Sequence, residues 1–296
     1  MSYCFYKICK YGKFIGIAGI VGAVIDKPLL SLLSFFWLLF IGELAAELPM
    51  IIGGFKQLAG IKRIQKKYGD DLPSIDSYEC KNSYSLPFEG DWTAVNGGVT
   101  EEFSHSWGVL PQRYAYDFLV LDENGRSYSG NQRSPESYYC FGRPVLAPAD
   151  GVVAEISDRS KETLIISPDK FFTRAKHIAG NYIILKHEND EYSVLAHLKN
   201  GSITVKEGDA VKRGQAIALC GNTGNSSEPH LHFQLQAGRD FYGSAGLPLR
   251  FASIHIKPQP NYGCFEPRPV LPPEQLEAGR VTRGYAVGNE QSEECK

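Results

Sequence analysis

The chain has 296 residues, 43% of them apolar and 12% aromatic, with 30 glycines, a balance that suits one or two domains and a glycine-turned, β-rich globular part. A formal net charge of −2 and a pI near 6.4 supply no global basic field, so a nucleic-acid partner is not expected. The seven cysteines contain no C-x-x-C pair, which leaves a thiolate zinc site without support, and their odd number fixes neither a disulfide framework nor a compartment.

Two apolar stretches open the chain, FIGIAGIVGAVI (14–25) and LLSLLSFFWLLFIG (29–42), separated by Asp26, Lys27 and Pro28. Each is shorter than the ~20 residues of a helical bilayer span. Continuing the second to Gly54 gives the length but takes in Glu43, Glu47 and Pro49. A cleaved signal peptide and a buried soluble helix compete with membrane anchoring of residues 1–54, by one span or by a tight two-segment hairpin. Anchoring is the expectation. Lysines lie before the second stretch (Lys7, Lys10, Lys13, Lys27) and basic residues follow it (Lys56, Lys62, Arg63, Lys66, Lys67), so charge leaves the orientation open. Residues 55–77 read as a basic helix and linker.

From Tyr78 the pattern changes to short apolar–polar alternations with turn residues. RPVLAPADGVVAEISD (143–158) reads as strand, turn and strand, and NYIILKH (181–187) with EYSVLAHL (191–198) as a hairpin over ENDE. SITVKEGDAVKRGQAIALCG (202–221) offers two more short strands, and HLHFQLQ (230–236) is the last clear one. The expected fold is mostly β: a compact antiparallel, β-hammerhead-like domain over 78–256, preceded by the hydrophobic helical segments. Residues 257–296 read as a proline-rich tail wrapping the surface, with NEQSEECK disordered at its end.

The chemistry rests on histidines. Strand alternation puts His230 and His232 on one face, with Leu231 opposite. Two such imidazoles can serve one metal, or one can bind metal while the other handles a proton; a solvated strand also displays such pairs. His197 ends EYSVLAHL on the face of Ser193 and Leu195, where a side chain can open onto a cleft. His105 and Asp117 lie in SHSWGVLPQRYAYDF (104–118); imidazole and carboxylate are good zinc donors, and three protein ligands with one open position suit a catalytic site. His177, His187 and His255 lack such partners and read as structural or surface residues.

In order, the chain carries His105, Asp117, AHL with His197, the VKEGDAVKRGQ turn and GNTGNSSEPHLHF. This set resembles the lysostaphin/LytM-type zinc metalloendopeptidases, which cleave peptide cross-links and bridges in peptidoglycan. The resemblance covers roughly residues 86–250 and is most diagnostic from His197 to Phe233. It implies a small antiparallel β core with a groove and one zinc ion per chain. Its implied ligands are His105, Asp117 and His232, with His197 and His230 flanking the attacking water and the scissile carbonyl. His230 is assigned to proton handling and His197 to transition-state stabilisation, roles that can be exchanged. One departure stands out: many members keep the first histidine within a few residues of the aspartate, whereas eleven residues, SWGVLPQRYAY, separate His105 from Asp117.

Two other classes compete. A regulatory module of the same fold, silent or autoinhibited and acting on a partner hydrolase, usually lacks a ligand or a catalytic histidine; here all five positions are filled. A lipoyl- or biotinyl-type carrier would share APADGVV and VKEGDAVKRGQ but needs a lysine displayed at a hairpin tip, and none is marked. The reading is a membrane-anchored peptidoglycan metalloendopeptidase whose catalytic domain faces the cell exterior.

Overall fold

The computed structural model describes residues 2–290 apart from 168, 169 and 174, and its chain divides into two compact units, Met1–Phe55 and Lys56–Lys296. In the first unit, helix α1 (Tyr3–Gly12) starts at Ser2, whose hydroxyl accepts from Phe5 N at 3.2 Å. Helix α2 (Ile15–Val24) turns at Asp26, and the chain returns through Pro28–Trp37 into the long helix α3 (Leu38–Tyr68). Gly16, Gly19 and Gly22 recur every three residues of α2 and face the returning limb. A Cβ on Gly19 would stand 2.1 Å from Ser34 N, so only glycine permits this approach. The two limbs thus fold as a hairpin, with Lys13 paired to Glu43 and Tyr6 Oη donating to Glu47 at 2.9 Å. An 18-residue window within Pro28–Tyr68 has a mean hydropathy of 2.0 with 6% of it buried, long and apolar enough to cross a membrane.

The second unit is built on one large antiparallel sheet. Eight of its strands are β1 (Trp92–Asn96), β2 (Tyr116–Leu119), β3 (Gly151–Ser157), β4 (Tyr182–Lys186), β5 (Tyr192–Ala196), β6 (Leu231–Gln236), β7 (Ile254–Pro258) and β8 (Tyr285–Asn289). They run in the order β7-β8-β1-β2-β6-β5-β4-β3, with the short strand Ala210–Val211 at the far edge. The mostly β, antiparallel expectation is met. Every residue of β2 and β6 is buried. Leu231, Phe233 and Leu235 of β6 enter the main core beside Tyr116, Phe118 and Leu195, so the alternate residues of β6 line the opposite face.

Some local expectations change. The two strands of RPVLAPADGVVAEISD do not pair with each other: Pro144–Leu146 pairs with Ala216–Leu219, whereas β3 pairs with β4. Residues 257–296 were expected to wrap the surface, yet β7 runs into this stretch and β8 closes onto β1. Tyr285 and Val287 of β8 are buried in the core, which is why this proline-rich segment is held in the sheet. Of NEQSEECK, the part from 291 onward lies outside the described residues.

Candidate metal centre

Strand register builds the centre. Asp117 of β2 stands directly opposite His232 of β6, so carboxylate and imidazole share one face, and His232 Nδ1 lies 2.9 Å from Asp117 Oδ1. His230, just before β6, brings its Nε2 to 3.6 Å from the same oxygen. At a bulge in the β1–β2 ladder, Asn96 donates from Nδ2 to Asp117 Oδ2 at 3.1 Å and accepts from Arg268 Nη2 at 2.8 Å. Arg268, from the proline-rich segment, therefore reaches Asp117 through one intervening amide.

His105 comes from the loop between β1 and β2, with its Nε2 3.5 Å from Asp117 Oδ2. The eleven-residue excursion is closed at its neck. Ser104 Oγ donates to Arg113 O at 2.8 Å and accepts from Ser106 N at 3.1 Å, and the Arg113 guanidinium lies 4.7 Å from the centre of the Trp107 ring. His105 sits at that neck, so the long insertion does not carry it away from the aspartate.

Simple alternation would send His197 to the core face with Leu195. Its φ of +60° is left-handed, and this turn brings its ring to 4.6 Å from the His230 ring and 5.8 Å from that of His232. Its Nδ1 lies 2.7 Å from Thr223 O. That carbonyl is reached because Gly180 passes directly beneath it; a Cβ on Gly180 would stand 2.3 Å from the Thr223 carbonyl carbon. His230 is held likewise, with Nδ1 2.8 Å from Glu228 O. A carbonyl accepts only, so both histidines donate from Nδ1 and present Nε2 toward the site.

Burial pushes the Asp117 carboxyl up, but the surrounding His105, His230 and His232 outweigh it and hold it well below the usual carboxylate range. For His232 burial works against the charged form, yet the hydrogen bond to Asp117 wins and its imidazole is raised. Burial, with His230 and His232 beside it, drives His197 well down.

The donors suit a cation. One ligand atom each from His105, Asp117 and His232 can be chosen so that all three lie within 4.8 Å of one another. His232 Nε2 contacts Gln234 Oε1 at 2.9 Å and donates to it. A neutral His232 then aims the lone pair of Nδ1 at a carboxylate oxygen, an arrangement that calls for a positive charge between them. Two imidazoles and one carboxylate form a donor set suited to zinc. The cluster opens into a groove of about 800 Å³ whose walls include Tyr128, Tyr138, Phe171, Phe241, Phe265 and Arg268.

All five residues singled out in the sequence thus converge. The other histidines lie elsewhere: His187 bonds Asp150 O and Ser193 Oγ, each at 2.8 Å, His177 packs against Tyr182, Phe241 and Tyr242, and His255 pairs with Asp91. Asn96, Arg268, Gln234, and the carbonyls of Thr223 and Glu228 were not anticipated. Only Gln234 had a signal, since it alternates on the histidine face of HLHFQLQ.

Comparison with known proteins finds likenesses that cover part of the second unit. Residues 138–242 match the profile of Peptidase family M23. The chain is 38% identical over 93 residues to an uncharacterized metalloprotease of Haemophilus influenzae, covering 31% of this chain and 16% of that protein. It is 38% identical over 95 residues to the peptidoglycan DD-endopeptidase ShyA of Vibrio cholerae, covering 32% of this chain and 18% of that protein. The murein hydrolase activator NlpD of Salmonella dublin is 32% identical over 148 residues, covering 50% of this chain and 33% of that protein. The chain thus spans a third or less of the length of each of these relatives.

Proposed function

We propose, from the site's geometry and from the match of residues 138–242 to the profile of Peptidase family M23, that the protein is a zinc-dependent metalloendopeptidase that hydrolyses peptide bonds in peptidoglycan cross-links or bridges. His105, Asp117 and His232 would hold the ion. When bound there, zinc supplies Lewis acidity that polarises the scissile carbonyl and acidifies water. The aromatic walls of the groove bind and orient an extended peptide. His230, anchored through Nδ1, offers Nε2 to take the proton of the attacking water and return it to the leaving amine. His197, anchored to Thr223 O, presents Nε2 to the same space; it stabilises the charge that develops on the reacting carbonyl once that nitrogen carries a proton. The roles of the two histidines are exchangeable on this geometry.

The observation that carries the reading is the convergence of these two anchored histidines on a His–His–Asp cluster at the floor of an open groove. The first unit would anchor the chain in the cell membrane, with the groove on the exterior face where the wall lies. A second reading, a silent or autoinhibited module that acts on a partner hydrolase, is favoured by the likeness to the activator NlpD over half of this chain.

One experiment separates the two: mass spectrometry of purified peptidoglycan incubated with the detergent-purified chain, with chelator and with zinc restored. Peptide fragments that vanish with chelator and return with zinc are expected. A zinc-loaded protein that releases none from several wall chemistries refutes the endopeptidase and leaves the activator reading.

A further inference from the structure

Beyond His232, the site-facing side of β6 continues as a single file of buried amides. Gln234 is 1% exposed and Gln236 is fully buried. His232 Nε2 lies 2.9 Å from Gln234 Oε1, Gln234 Nε2 lies 2.7 Å from Gln236 Oε1, and Gln236 Nε2 lies 2.7 Å from Gly238 O. The far end fixes the polarity of the whole run. Gly238 O is a carbonyl and only accepts, so Gln236 must turn Nε2 toward it and Oε1 back toward Gln234. Gln234 must then donate outward, leaving its Oε1 to face His232. The histidine therefore donates from Nε2.

The consequence appears on the other side of the ring. In the opposite tautomer a neutral His232 would donate Nδ1–H to Asp117, 2.9 Å away, and satisfy the carboxylate without a metal. The amide run disfavours that tautomer, because it would set a bare Nε2 against Gln234 Oε1. Val194 stands opposite Gln234 on β5, in an apolar cluster with Ala196 and Tyr182, so packing alone would accept an apolar residue at 234. Burying two amides there costs free energy unless each polar atom is satisfied, and the single-file arrangement satisfies them in one direction only.

We propose that Gln234 and Gln236 are positioning residues that hold His232 in the Nε2–H tautomer, so that its Nδ1 lone pair is directed at a metal ion shared with Asp117. The inference rests on the reading of His232 and Asp117 as ligands. It concerns how tightly the metal is held, not which bond is cut.

The test measures zinc affinity of the detergent-purified full chain by competition with a chromophoric chelator, alongside the melting temperature of the metal-free protein. Gln234→Leu and Gln236→Leu are each expected to weaken zinc binding by about 10-fold or more, the range found for partners that orient metal-bound histidines. Gln234→Glu, which still accepts from His232, is expected to stay within about threefold of wild type or bind tighter. The informative variant is Gln236→Leu, because that side chain does not contact His232. A purely packing role would lower the metal-free melting temperature and leave the affinity of the folded protein unchanged. Nitrogen-15 spectra of the His232 ring in the metal-free protein, taken at a pH high enough for the ring to be neutral, read the tautomer directly: Nε2–H in wild type, with Nδ1–H appearing in Gln236→Leu. Wild-type affinity and tautomer in Gln236→Leu overturn the relay while the ligand reading stands. Equal zinc binding by wild type and His232→Ala overturns the ligand reading, and the relay with it.

Discussion

Asp117 and Glu191 are both buried carboxylates in the same unit, 7% and 1% exposed, and their surroundings are opposite in kind. Glu191 gathers donors that need no adjustment: the Tyr78 hydroxyl, Lys81 N at 2.7 Å, Asn82 Nδ2 at 2.6 Å and Tyr84 Oη at 2.8 Å. It ties the segment leading into the sheet to the β4–β5 hairpin and is satisfied as it stands. Asp117 has one unconditional donor, Asn96, and three imidazoles. Imidazoles face a carboxylate favourably only when they carry a proton toward it or share a cation with it. A buried carboxylate whose partners are neutral hydroxyls and amides serves the fold; one ringed by histidines is arranged for a further positive charge.

The largest expected effect falls on the histidine side. His230→Ala should lower peptidoglycan turnover by about 10²- to 10⁴-fold, the span of a lost proton-transfer group, while zinc remains stoichiometric by elemental analysis. Full activity in that variant would remove His230 from proton handling.

Glu191 should answer in the opposite currency. Glu191→Ala strands several donors and is expected to cost about 3 kcal/mol in urea-unfolding stability, with zinc affinity of the folded protein unchanged. The pH dependence follows from the same contacts. Burial raises the Glu191 carboxyl, but Lys81 N, the two tyrosine hydroxyls and Asn82 prevail and hold it below its ordinary 4.5. Its contribution to stability is thus fully present above pH 4.5 and is lost as the pH falls through the lower folded-state value. Wild type should therefore lose stability in that acidic window, and Glu191→Gln should lose less, as read by urea midpoints at successive pH values.

A smaller effect probes the link from the proline-rich segment. Arg268→Ala frees the Asn96 amide to rotate and should weaken zinc binding by about threefold in the chelator competition, since Arg268 acts through Asn96 and is partly exposed. An unchanged affinity would make this contact a local tether only.

Much of the site was legible because strand arithmetic is strict. H-x-H places two imidazoles on one face, and antiparallel pairing then needs only one aspartate in register to complete the cluster. His197 was legible as a strand-end residue but not in direction, because its left-handed turn is held by Ala179 O, which accepts from its backbone N, and by Thr223 O at its Nδ1, partners from other parts of the chain. The closed neck at Ser104 and Arg113 was hidden for the same reason, and so the spacing of His105 and Asp117 looked longer in sequence than it is in space. The tail misled through composition: proline-rich residues suggested irregular chain, while Tyr285 and Val287 were the apolar alternation that marks β8. Asn96 and Arg268 carry no local signature at all.

The most direct measurement is the metal content of three purified full-length proteins, wild type, Asp117→Asn and Glu191→Gln, by elemental mass spectrometry after zinc loading and desalting. One zinc per chain is predicted in wild type and Glu191→Gln, and none in Asp117→Asn. Equal zinc in all three would contradict the account, because the carboxylate among the histidines would then be no more a metal ligand than the one among the hydroxyls.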